Sequence, residues 1–182
     1  PDVPRLMREQ GTDKFYAAKC SDWGDQVMNT VGCSDCHDAR TMELRPARPA
    51  LYEAWARVGK DVRKASHQEM RSLVCAQCHT EYYFEKENGN YLHFPQERGL
   101  LCEDAEAHFD SIGFYDYINP LSKAKILKAQ HPGYELFMQG IHGQRGVSCA
   151  DCHMPYISEG GVKYTDHHIM SPLAHIDRTC QT

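Results

Sequence analysis

No stretch of the sequence comes near the roughly eighteen consecutive apolar residues that cross a bilayer, and no basic start runs into an apolar signal core. A basic excess is lacking too. Lys and Arg number 20 against 25 Asp and Glu, a formal net charge of -5, which argues against the basic face of a nucleic-acid binder. Apolar residues are scarce at 41%, below the ~45–50% of an ordinary soluble domain, and the mean hydropathy is -0.62. A chain of 182 residues is long enough for one domain with its own core. Something other than side chains is therefore expected to fill part of its interior. Gly/Ser linkers, low-complexity tracts and a fixed-period repeat are also missing, so 1–182 reads as a single domain and not as a solenoid.

Cysteine, by contrast, is plentiful, with nine copies. Six fall into three copies of one pattern: Cys33-Ser-Asp-Cys36-His37, Cys75-Ala-Gln-Cys78-His79 and Cys149-Ala-Asp-Cys152-His153. C-x-x-C-H is the attachment signature of c-type haem. The two thiols add across the porphyrin vinyl groups, and the adjacent His is held under the iron as its proximal ligand. Chance placement at this Cys and His content would give roughly 0.03 copies. Zinc knuckles would not need His after every second Cys and would want the pairs in even number or with spaced His partners. A thioredoxin-like motif would occur once, within a βαβ pattern that is absent. Cys180-Gln181-Thr182 reads as the first half of a fourth attachment site. With Pro1 in place of a starting Met, it marks the chain as an expected internal stretch of a longer protein. Cys20 and Cys102 belong to no motif, and nothing argues for a bond between them.

Local patterns predict a mainly α fold with long irregular loops and short β-hairpins, in which haems form much of the core. Leu51, Trp55 and Val58 recur at helical spacing over 50–58, with Pro49 in the first turn. A helix over 67–84 is expected to carry the second motif. Further helices are expected over 103–112 and over 132–140, the last opened by Pro132 and closed near Gly140. Hairpins are expected over 84–94 around Asn88-Gly89 and over 156–164 around Gly160-Gly161.

Eight of the 11 histidines lie outside the motifs, many for three attached haems. Low-spin haems normally take a second axial ligand. His142, in Gly140-Ile-His-Gly143, and His167, in Tyr164-Thr-Asp-His-His168, sit in turn-like contexts that suit a distal ligand, with a plain surface histidine as the alternative. His67, His93, His108 and His175 read as surface or packing residues. His131 precedes Pro132 at a helix entrance, a place for a proton donor or for a helix-capping imidazole. Behind the second motif, Glu81 suits a hard cation and Tyr82 a substrate oxygen; the alternative is a solvated Glu and packing tyrosines.

Longer blocks carry a family resemblance. Cys75-Ala-Gln-Cys-His-Thr-Glu-Tyr-Tyr-Phe84, Leu121-Ser-Lys123, Leu127-Lys-Ala-Gln-His-Pro132, Gly140-Ile-His-Gly143, Val147-Ser-Cys-Ala-Asp-Cys-His-Met-Pro155 and Tyr164-Thr-Asp-His167 resemble, in order and spacing, the pentahaem, ammonia-forming cytochrome c nitrite reductases. Pro1-Asp2-Val3 matches the sequence that follows the catalytic haem site of that family, a C-x-x-C-K motif. The resemblance implies that Tyr82 and His131 are the distal catalytic tyrosine and histidine, with a completing arginine upstream. It implies a calcium ion held by the side chains of Glu81 and Gln130 and the carbonyls of Tyr82 and Lys128. His37, His79 and His153 become proximal iron ligands. His167 becomes the distal ligand of the haem on Cys33 and Cys36, and His142 that of the haem beginning at Cys180. Five haems in the full-length protein, a periplasmic setting, nitrite as substrate, a membrane-associated cytochrome or quinol-linked electron donor and a homodimer are further implications. The stretch alone is then expected to be inactive. Two rivals remain: a non-enzymatic multihaem electron carrier, and a multihaem enzyme of the hydroxylamine or tetrathionate type.

Overall fold

The computed structural model describes residues 2–85 and 89–180. The fold is mainly α, and among the described residues the strands form three antiparallel hairpins. No described helix is long and apolar enough to cross a membrane.

Two helices open the chain, α1 (Asp2–Gln10) and α2 (Thr12–Ala17). Asp2 accepts from the backbone N–H groups of Met28 and Asn29 at 2.9 and 2.8 Å, which returns the following short helix α3 (Cys20–Trp23) and its loop against α1. The first motif forms a single turn, α4 (Cys33–Cys36). Next come α5 (Pro49–Arg57), started by Pro49 as expected, and α6 (His67–Ala76). Leu51, Ala54 and Trp55 of α5, Leu73 and Ala76 of α6, Phe94 and Tyr134 make the hydrophobic core. The Trp55 and Tyr134 rings sit 5.3 Å apart.

Helix α6 starts at a capping box. The Ser66 hydroxyl accepts from Glu69 N, and the Glu69 carboxylate accepts from Ser66 N at 2.7 Å. Replacing Ser66 with Ala is expected to lower the opening free energy of the first turn of α6 by about 1 kcal/mol, read as faster amide exchange at Glu69. Unchanged exchange would show that the cap contributes nothing.

The expected helix over 67–84 is too long. It stops at Ala76, and the chain passes through a tight turn in which Cys78 N and His79 N both donate to Cys75 O, at 3.0 and 2.9 Å. The groups that would continue the helix are taken by other partners. His79 O accepts from Tyr134 N at 2.7 Å, and Glu81 N donates to the Glu135 carboxylate at 3.0 Å. Glu81 and Tyr82 therefore arrive on an extended segment that leads into β1 (Tyr83–Glu85), not on a helix face.

Strand β1 pairs with β2 (Tyr91–His93). The expected hairpin is present in its strands, while Asn88 of its turn lies outside the described residues. Helix α7 (Cys102–Ile112) ends at Gly113, whose φ of 64° suits glycine. A short hairpin that local patterns did not announce follows, β3 (Tyr117–Ile118) with β4 (Lys125–Ile126). Helix α8 (Gly133–Gln139) begins after Pro132 and is capped by Gly140, as expected, and is followed by α9 (Ile141–Gln144). The third motif is α10 (Cys149–His153). Beyond it, β5 (Tyr156–Glu159) and β6 (Val162–Thr165) turn through Gly160 and Gly161, with φ of 57° and 81°, before α11 (Ile176–Thr179).

Candidate functional site

The three C-x-x-C-H turns cluster around α6, whose end is the second of them. Gln77, buried in the second turn, donates to Asp35 O in the first at 2.8 Å and accepts from Ala47 N and Arg48 N at 2.8 and 3.1 Å. On the other side, Ser72 of α6 accepts from Cys149 N at 3.1 Å, and Gln68 donates to Asp151 at 2.6 Å. The thiols are consequently near neighbours. Burial, with the Asp35 carboxylate alongside, pushes the Cys36 thiol up to about 11. A hydrogen bond from Cys75 holds the Cys149 thiol below its ordinary value.

The sequence-predicted histidines fall into three situations. His37 and His167 face one another with ring centroids 6.1 Å apart. Each donates its Nδ1–H to a backbone carbonyl, His37 to Met42 at 2.7 Å and His167 to Thr165 at 2.9 Å. With Nδ1 tied to a carbonyl, Nε2 is the nitrogen left to bind, the arrangement usual for imidazole ligands. Imidazole nitrogens sit about 2 Å from a first-row metal, so rings on opposite sides of one ion have centroids about 6 Å apart. His153 is tied in the same way, through Nδ1 to Met170 O at 3.0 Å.

His79 and His131 are in a second situation. Their rings are 4.5 Å apart and tilted by 48°, too close to flank one metal ion. Burial, followed by the neighbouring His131 and His153, lowers the His79 pKa. In the third situation is His142, exposed on α9 with no ring hydrogen bond among the described residues. Cys180 is exposed at the end of the described chain, and Gln181 and Thr182 of that expected motif lie outside it.

Glu81 is buried, and its Oε2 accepts from the backbone N–H of Gln130 at 2.8 Å and of His131 at 3.0 Å. Its Oε1 is buried with no hydrogen-bond partner among the described residues. Burial pushes the Glu81 carboxyl up against the opposing pull of those two N–H groups. Beside Glu81 lies a cleft of about 250 Å³ lined by Tyr82, Lys128 and Gln130, with Tyr83, Phe84, Phe114, Tyr115 and Asp116. The structure thus brings together Glu81, Tyr82, Lys128, Gln130 and His131, residues about fifty positions apart in the chain. Among the described residues no three His, Cys, Asp or Glu side chains converge as a metal cluster. A cation here would be held mainly by the Glu81 carboxylate, the Gln130 amide and backbone carbonyls, an all-oxygen set suited to calcium.

Three participants escaped sequence reasoning. Asp116 accepts from Lys128 N at 2.7 Å and from the Gln130 amide at 3.3 Å, and so aims the Gln130 side chain. Glu135 and Gln96, both fully buried, are joined at 2.7 Å, and Glu135 holds the Glu81 N–H. The only local signal was Glu135 set between Tyr134 and Leu136-Phe137; Gln96, followed by Glu97 and Arg98, gave none. His93 and His108, read as surface or packing residues, belong to one polar network. His108 is buried between the Tyr83 hydroxyl at 3.2 Å and Glu97 at 3.0 Å, and Arg57 joins Glu97 to His93.

Comparison with known proteins agrees with this layout. A cytochrome c-552 of Bacteroides thetaiotaomicron is 65% identical over 182 residues, covering 100% of this chain and 37% of that protein. The cytochrome c-552 of Porphyromonas gingivalis is 64% identical, with 100% and 36% covered. The chain thus spans little more than a third of the length of these relatives. The solved cytochrome c nitrite reductase of Desulfovibrio desulfuricans, a catalytic subunit with two calcium sites, is 40% identical. It superimposes with a TM-score of 0.86 over 96% of this chain and 40% of that one. The model of the cytochrome c552 family matches residues 1–182, the three C-x-x-C-H turns and Glu81 included, and the chain belongs to that family.

Proposed function

We propose that this chain is the central part of a multihaem cytochrome c that reduces nitrite to ammonium, with haem c on Cys33/Cys36, Cys75/Cys78 and Cys149/Cys152. A further haem begins at Cys180, and calcium sits beside Glu81. The observation that carries the reading is the buried, half-partnered Glu81, next to Tyr82 and two residues from the haem-motif His79, holding the backbone of His131, whose ring lies 4.5 Å from that of His79. An electron carrier explains the three motifs and the paired His37 and His167, but it has no use for that cleft. His37, His79 and His153 serve as proximal ligands, His167 as the distal partner of His37, and His142 as that of the last haem. Large apolar side chains close to these turns are exposed, among them Val31, two residues before Cys33, Met42, whose carbonyl holds His37, and Ile169, next to the Met170 that holds His153, which suits porphyrin faces packed against them.

Bound haem supplies an iron site for the substrate and the electron path to it; by oxidation-state counting the reaction takes up six electrons and eight protons per nitrite. The chain's own residues handle the anion and the protons. Tyr82 offers a hydroxyl donor from the cleft. His131, with its backbone N–H on Glu81, is a proton donor of fixed position. Glu81 ties the two together, since it holds the His131 backbone and precedes Tyr82 directly, and Glu135 in turn holds Glu81. An arginine from the rest of the protein completes the anion pocket. Residues 1–182 form one domain of the parent, which is periplasmic, homodimeric and fed by a membrane-associated cytochrome or a quinol-linked donor.

The test is turnover by the full-length protein with nitrite and reduced methyl viologen. Ammonium in stoichiometric yield, without released nitric oxide or hydroxylamine, is the expected result. A fully haem-loaded protein that forms no ammonium would leave the electron-carrier reading in its place.

A further inference from the structure

The third residue of each attachment turn is a handle on the neighbouring turn. In the first it is Asp35, 3% exposed, paired with Arg48 at 3.1 Å. In the second it is Gln77, bonded to Asp35 O. In the third it is Asp151, paired at 3.1 Å with Arg71 of α6, itself 3% exposed. Arg71 also donates to the Thr165 hydroxyl at 3.2 Å, and its guanidinium lies over the Tyr156 ring at 4.4 Å. Its Nε is buried without a partner among the described residues. Asp151 Oδ2 accepts from Ser148 N at 2.7 Å and from Gln68 at 2.6 Å. A buried arginine with no exit to solvent, joined to a carboxylate one residue from a haem-bonded cysteine, is an expensive arrangement if it serves only packing.

We infer that Arg71 and Asp151 hold the reduction potential of the haem carried by Cys149 and Cys152 against the shift that either charge alone would impose, by placing a buried guanidinium and a partly buried carboxylate that offset one another beside it. The inference rests on haem attachment at that turn. The ferric haem carries one more positive charge than the ferrous. An uncompensated carboxylate favours the ferric state and lowers the potential; an uncompensated guanidinium favours the ferrous state and raises it. One unit charge within about 10 Å, at an effective dielectric near 20, shifts the reduction equilibrium roughly tenfold. The pair as built cancels both shifts. Asp35 and Arg48 repeat the arrangement at the first turn, with the arginine supplied by the loop before α5.

The experiment uses the full-length holoprotein and its variants Arg71→Met, Asp151→Asn, Arg71→Lys and the double Arg71→Met/Asp151→Asn. Covalent haem at Cys149/Cys152 is verified by peptide mass spectrometry, and each low-spin haem is titrated by EPR against potential. Arg71→Met is expected to weaken reduction of this haem about tenfold, a 59 mV fall for one electron. Asp151→Asn is expected to strengthen it by a similar factor, and the double variant and Arg71→Lys to lie near wild type. A structural role alone would move both single variants the same way, and that result, or no shift in either with the haem intact, overturns the inference. Should Arg71→Met fail to mature, the sign for Asp151→Asn against wild type decides. Absence of covalent haem from this turn in the wild-type protein would instead overturn the haem reading itself.

Discussion

Tyr82→Phe in the full-length protein is expected to lower nitrite turnover about a hundredfold, and His131→Asn to lower it at least as far, with the low-spin haem spectrum unchanged in both. Tyr82 is half-buried in the cleft, and its ring packs edge-on against Phe84 at a centroid distance of 5.8 Å. Phe keeps that packing and removes only the hydroxyl. Asn at position 131 keeps the backbone N–H that Glu81 accepts and the restriction imposed by Pro132, and it removes the imidazole. Losses in kcat and kcat/KM of equal size would mark interactions made in the transition state, whereas a rise in KM alone would mark simple anion binding. Ammonium formation at the wild-type rate in both variants would return the chain to the electron-carrier reading. The haem assignments would survive that outcome.

Glu81→Ala is expected to abolish tight calcium binding and to reduce turnover at least tenfold, and chelation of the wild-type protein to reproduce the loss of activity until calcium is returned. The reasoning begins with hydrogen bonds. Glu81 Oε2 satisfies the N–H groups of Gln130 and His131, and Oε1 has no partner among the described residues although it is buried. Buried polar atoms in folded proteins are nearly always satisfied, and an anionic oxygen among amide and carbonyl oxygens is what a hard cation takes. Ala removes the charge and strands two N–H groups, each at about 1–3 kcal/mol, so Tyr82 and His131 lose their common anchor. Glu81→Gln separates the two effects. It keeps an acceptor for the N–H groups, so its calcium deficit should be relieved by excess calcium while that of Ala should not. Calcium content equal to wild type in Glu81→Ala, measured by elemental mass spectrometry, would sink the assignment.

The haem turns were legible in the sequence because their chemistry is local. C-x-x-C-H needs both thiols and the imidazole on a single turn, and five consecutive residues state it. Helix starts at Pro49 and Pro132, the stop at Gly140 and the Gly160-Gly161 turn were equally local, set by backbone dihedrals that those residues favour. The overlong helix over 67–84 failed for a tertiary reason. Its local pattern continued through the motif, but His79 O and Glu81 N are claimed by Tyr134 and Glu135, more than fifty residues away.

The cleft shows the division clearly. Residue types on either side, Glu81-Tyr82 and Lys128-Ala-Gln-His131, stood out in the sequence, because a carboxylate, a phenol and an imidazole beside haem motifs suggest chemistry. That they meet, that Asp116 aims Gln130, and that Glu135 with Gln96 supports Glu81 from below are long-range pairings with no periodic or spacing signal. The same holds for Arg71 and Asp151, separated by 80 positions. By itself the sequence determined which thiols and imidazoles share a turn, and so which are proposed to carry haem, and where the short elements begin, since covalent adjacency and local dihedral preference carry that information. Only the tertiary structure decided which buried charges are compensated, which carboxylate oxygen is left open and how near His79 lies to His131, because each depends on what chain folding brings into contact from far along the sequence.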